Sequence, residues 1–162
     1  MTENVAKWML LGLVMTTALA VLSSDVAASH YRLEFLDFLD TQVVEALEAV
    51  GIQTTEDLLG RALTQEDRQR LSEETGISEL ELLVLARLCE LLQIDGVGPR
   101  AAQLLRAAGV VSVADMATRD PAVLEGQLAA VNAVERLTGV DPNAENLVDW
   151  ITGAARVPLH VE

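Results

Sequence analysis

The sequence predicts an all-α fold: two tandem copies of a glycine-turned helical hairpin in one compact domain, preceded by a hydrophobic N-terminal helix. Three observations predict it. Apolar residues recur at spacings of three and four, as at Val43, Val44, Leu47 and Val50, the period of a helix buried on one face. No stretch alternates apolar and polar residues for long enough to make a strand. Residues 36–52, LDFLDTQVVEALEAVGI, align with residues 94–110, IDGVGPRAAQLLRAAGV, at an offset of 58. Composition points the same way. With 51% hydrophobic residues but 3% aromatic, the core must be built from Leu, Val, Ala and Ile, which suits helices packed closely through small side chains.

The chain opens on an apolar segment. Residues 8–22, WMLLGLVMTTALAVL, carry no charge and follow Glu3 and Lys7. Val26 and Ala28 satisfy the small-residue rule for cleavage of a signal peptide after Ala28. Val5 to Leu22 is also just long enough to span a bilayer. Residues 1–30 therefore read as a signal peptide or a membrane anchor, with membrane contact through residues 5–28 if the segment is retained. Either reading exports or anchors the helical domain outside the cytoplasm. A cytoplasmic soluble protein, with this segment an ordinary buried helix, is the alternative.

The repeat divides the remainder into a first unit at 31–92, a second at 93–156 and a loose tail at 157–162. The match extends past the aligned block: TTEDLL at 54–59 answers SVADMA at 112–117, and TGIS at 75–78 answers TGVD at 138–141. Helix boundaries follow from local chemistry. Asp40 or Thr41 opens a helix that Gly51 closes. Ser78 with Glu81 forms a capping box ahead of LELLVLARLCELL. Pro99 starts the next helix, where its missing N–H costs nothing, and Gly109 ends it. Asp120-Pro121 and Asp141-Pro142 are cap-plus-first-turn pairs.

The segment LLQIDGVGPRAAQLLRAAGV resembles the helix-hairpin-helix motif. Ile94, Gly96, Val97 and Gly98 stand at its apolar-x-Gly-apolar-Gly positions, and Ala102 is the small residue at the helix crossing. The glycines allow a tight turn and close backbone approach, Val97 plugs the space between the helices, and Ala102 lets them pack closely. The region from Tyr31 to Pro158 is similar to a bacterial branch of that superfamily, known as a domain of unknown function, with two such units in tandem. The resemblance implies a fold without an activity. Elsewhere in the superfamily the turn amides contact nucleic-acid phosphates, which implies Gly96, Val97 and Gly98 as contact positions here, with Arg100 and Arg106 alongside. The first unit departs from the pattern: its turn reads LDFLDT, with Phe38 and Asp40 where the glycines belong.

Charge weighs against nucleic acid. The chain carries a net charge of −14, and Lys7 is its sole lysine. Near the second turn the basic residues are Arg100 and Arg106, opposed by Asp95, and two phosphate contacts give weak, salt-sensitive binding. Weak, sequence-independent DNA binding through that turn is the alternative function. Catalysis finds no constellation, because His30 and His160 have no Ser, Cys or carboxylate at triad or metal spacing. Asp37, Asp40, Glu45 and Glu48 read as a solvated helix face. GVGPR lacks the Lys-Ser/Thr of a phosphate-binding loop. Cys89, the one cysteine, reads as a buried structural thiol. No catalytic residue, metal or cofactor is expected. The expected function is a non-catalytic interaction or scaffold module with a protein partner, possible as an accessory subunit at a membrane.

Overall fold

Helix caps organise the chain. The computed structural model describes residues 30–158, 161 and 162. The expectations for residues 1–29, signal peptide or anchor, lie outside the described residues. Among those described, eight α-helices follow a short 3-10 turn at Leu33–Phe35: α1 (Thr41–Ala49), α2 (Thr55–Ala62), α3 (Gln65–Thr75), α4 (Glu79–Leu91), α5 (Pro99–Ala107), α6 (Val113–Met116), α7 (Pro121–Glu135) and α8 (Ala144–Ala154). There is no strand among them, and an isolated bridge pairs Arg32 with Thr54. No helix of the described residues is long and apolar enough to cross a membrane.

The expected helix starts are met by side-chain caps. Asp40 accepts from the amide of Gln42 at the head of α1, and Asp120 accepts from that of Val123 at the head of α7. At α4 the Ser78 hydroxyl accepts from the Glu81 amide. Reciprocal capping boxes stand instead at Thr54/Asp57, Thr64/Asp67 and Asn143/Asn146. The last of these corrects the expectation for Asp141-Pro142. The helix begins two residues later, at Ala144, because Asn143 supplies the cap while Asp141 is engaged by the side-chain amide of Asn132 at 2.7 Å.

Two hydrophobic cores flank α4. Leu82, Leu85, Ala86 and Cys89 join the core formed with α1, α2 and α3. Leu88, Leu91 and Leu92 join the core built with α5, α6, α7 and α8. The run LELLVLARLCELL is apolar nearly all round because it serves both cores, as expected of a central helix. Burial drives the Cys89 thiol pKa up to about 12, which leaves it inert.

Val157, Val161 and Glu162, expected in a loose tail, are held against the fold. Val157 and Val161 are buried, the Val161 amide donates to Glu90 Oε1 at 2.8 Å, and the Glu162 amide donates to the Leu63 carbonyl at 3.0 Å. Buried Arg68 donates to the carbonyls of Ala62 and Leu63 and to the main-chain oxygen of Glu162. The chain end thus returns to the core of the first half.

Several carboxylates at helix starts depend on pH. The Arg119 guanidinium, reinforced by the Val111 amide, holds the Asp115 carboxyl below its ordinary range. The Gln53 amide and the Thr54 hydroxyl do the same for Asp57, and the Thr64 hydroxyl does so for Asp67. A depressed pKa in the folded state contributes stability above the unfolded value, and that contribution is lost as pH falls through the folded one. Asp115→Asn should therefore destabilise by about 1 kcal/mol near neutrality. In urea unfolding across a pH series, its difference from the parent should shrink as the pH falls through and below the ordinary carboxylate range. A difference constant with pH would mean that the Asp115 charge adds nothing.

Candidate functional site

The turn between α4 and α5 is closed by its own backbone. The amides of Gln93, Ile94 and Val97 donate in succession to the carbonyls of Glu90, Leu91 and Ile94. Ile94 and Val97 point into the second core, where Val97 is 2% exposed and Ala102 is fully buried. Gly96 adopts φ +81°, a left-handed conformation that disfavours any side chain. Gly98 differs: at φ −89° it caps α5 in extended backbone, a conformation open to any residue.

Helix α8 lies across this turn. A Cβ on Gly96 would stand 3.0 Å from the indole nitrogen of Trp150, and a Cβ on Gly153 would stand 3.2 Å from the Ile94 side chain. Trp150 and Gly153 are three residues apart and share a helix face. That spacing in WITG was the available sign of a packing face, but nothing local says that its target lies some fifty residues earlier, at the turn.

A cleft of about 1060 Å³ opens between the turn and α8, within the range of ligand-sized sites. Among the described residues, Asp95, Asp141 and Asp149 line it, against the single cation Arg156, and Trp150 forms part of its wall. The side-chain nitrogen of Gln93 and the hydroxyl of Thr138 belong to the same lining. Both atoms are buried without a hydrogen-bond partner among the described residues. The cleft therefore offers negative charge and an indole to an occupant.

The five residues expected to act together at the turn are dispersed. Gly96 lines the cleft, Val97 is core, and a Cβ on Gly98 would approach only the Tyr31 hydroxyl, at 4.0 Å. Arg100 faces Asp37 of the first half at 3.7 Å, and Gln103 donates to the same carboxylate. Arg106 lies eight residues beyond the cap of α5, about 12 Å along the axis. It lines a different groove, against α4. Helical geometry carries it away from the turn.

The first-unit positions behave differently from the second. Phe38 packs against both cores, and Asp40 caps α1. Asp37, Asp40, Glu45 and Glu48 are all exposed, as a solvated face requires. His30 stands 3.7 Å from Glu56, and His160 lies outside the described residues. Among the described residues no group of three or more His, Cys, Asp or Glu side chains is placed to hold a metal ion.

Comparison with curated proteins and with solved structures finds no match. A family model does match, over residues 39–157, from the last residues of the first turn through the end of α8 and most of the chain. The chain accordingly belongs to the family described as a domain of unknown function, DUF4332.

Proposed function

We propose that this domain is a non-catalytic interaction module that receives a basic segment of a protein partner in the cleft between the α4–α5 turn and α8. The observation that carries the reading is the lining itself, in which three aspartates face one arginine beside a tryptophan. Complementary charge at such a rim steers encounter and selects the partner. In this reading the two halves are degenerate helix-hairpin-helix units. Support comes from α1 and α5, both nine residues long, whose first residues, Thr41 and Pro99, stand at the same 58-residue offset as the sequence match. The apolar segment at 5–28 supplies an export signal or a tether beside a membrane complex.

Nucleic acid is the poorer fit. Phosphate binding needs converging cations. Here Arg100 faces Asp37, Arg106 lies along a different groove, and Asp95 places a negative charge in the turn itself.

The test uses the full chain with three probes: an arginine-rich peptide, a glutamate-rich peptide of equal length, and a DNA duplex. The basic peptide should bind, weaken with added salt, and lose roughly fivefold in affinity to a double variant Asp95→Asn, Asp149→Asn. Equal affinity for parent and variant overturns the proposal. So does a duplex shift at low salt that Gly98→Asp abolishes.

A further inference from the structure

A second groove, of about 750 Å³, runs between α4 and α5 on a different part of the molecule from the acidic cleft. Its wall is aliphatic, with Val84, Leu88, Val111 and Leu137 among the lining residues, and Val111 is 56% exposed. Arg87 from α4 and Arg106 from α5 both line it.

Four of the ten arginines, Arg87, Arg106, Arg136 and Arg156, have neither an ion pair nor a side-chain hydrogen bond among the described residues, and the first two share this groove. Arg32, Arg61, Arg70, Arg100 and Arg119 each face a carboxylate, and Arg68 is spent on three carbonyls. Arg87 and Arg106 have no ion-pair partner among the described residues. The Nε–H of Arg87 is buried and meets no acceptor there either. A buried donor without an acceptor is costly, so an occupant that supplies one is favoured. Arg87 also stands close enough to Arg68 for the two charges to repel: burial first, and then Arg87, lowers the Arg68 pKa.

Charge and size choose the occupant. The lining holds two arginines against one glutamate, Glu81, so a monoanion brings it to neutrality. The volume suits a small molecule. Along α4 the lining runs from Glu81 to Leu91, ten residues, or about 15 Å, which accommodates a medium-length hydrocarbon chain. We propose that this groove binds a carboxylate-headed amphiphile, its head held by Arg87 and Arg106 and its tail laid along Val84, Leu88, Val111 and Leu137. The site is independent of the acidic cleft and of the function proposed for it.

The experiment titrates the full chain with dodecanoate below its micelle concentration, by calorimetry and by methyl chemical shifts, with dodecyltrimethylammonium as the cationic control. Dodecanoate should saturate a single site and shift the methyls of Val84, Leu88 and Val111, while that of Val140, in the acidic cleft, stays in place. The double variant Arg87→Gln, Arg106→Gln should bind at least tenfold more weakly, the size expected on losing charge-assisted hydrogen bonds. Arg106 is exposed, so Arg106→Gln alone keeps the fold intact and should cost about threefold. Asp95→Asn with Asp149→Asn should leave dodecanoate binding unchanged. Equal affinity of the arginine variants and the parent, equal binding of the cationic amphiphile, or shifts confined to other methyls would overturn the proposal.

Discussion

Gly96→Ala should destabilise the protein by about 3 kcal/mol, well beyond the ordinary cost of an alanine in a turn. Two effects combine. An L-residue at φ +81° pays roughly 1–2 kcal/mol for the left-handed backbone. The new methyl would also stand 3.0 Å from the Trp150 indole nitrogen, inside van der Waals contact, so the ring or the turn must move. Trp150 is 9% exposed and belongs to the second core, so it has little room to retreat. Gly109→Ala is the internal control. Its φ is +87°, yet nothing lies within 4 Å of a Cβ there, so it should cost only the backbone share. Urea unfolding of the two variants separates strain from collision. A double-mutant cycle adds a second check: in a Trp150→Phe background the Gly96→Ala cost should approach that of Gly109→Ala. Equal costs at both glycines in the parent would mean that α8 does not press on the turn.

How much of this was legible depends on the range of the interaction. Asp40, Pro99, Gly109 and Asp120-Pro121 act within a turn of themselves, and the helix ends they announce are where they should be. The cap at α8 shows how narrow the margin is. Asp141 and Asn143 are equally good cap residues, and a tertiary bond from Asn132 takes the first and leaves the second to start the helix. The all-helical architecture was readable from periodicity, whereas the role of α4 between two cores was not, because an apolar run does not say how many partners it has. At the turn, Gly96 takes the left-handed conformation that favours glycine and Gly98 does not, and the acidic character of the site adds Asp141 and Asp149, brought in around α8, to Asp95. The tail was misread for the same reason. VPLHVE has no helical pattern, and Val161 and Glu162 bond to Glu90, Leu63 and Arg68 far back in the chain.

Glu90→Ala should be the most damaging single change, costing about 4 kcal/mol. Glu90 is 1% exposed and sits in the last turn of α4, where the helix dipole disfavours a negative charge. Local preference argues against an acid there, so its tertiary bonds must outweigh that penalty. One carboxylate oxygen accepts from the amide of Val113, the first residue of α6, and the other from the amide of Val161. The single side chain therefore ties the central helix to the second half of the molecule and to the returning chain end. Truncation to alanine orphans both buried amides, at roughly 1–3 kcal/mol each, and leaves a cavity between the elements they belong to. Glu90→Gln retains one acceptor and nearly the same volume, but turns an NH2 group toward one of the donors, so an intermediate loss of about 2 kcal/mol is expected. Urea unfolding gives the totals, and amide exchange locates them. Val161 should lose protection in both variants well before Ala102 in α5, because its amide donates to the altered side chain whereas α5 is held by the second core. A loss below about 1 kcal/mol for the alanine variant, or exchange at Val161 as slow as in the parent, would mean that the strap is held by Arg68 and Leu63 alone.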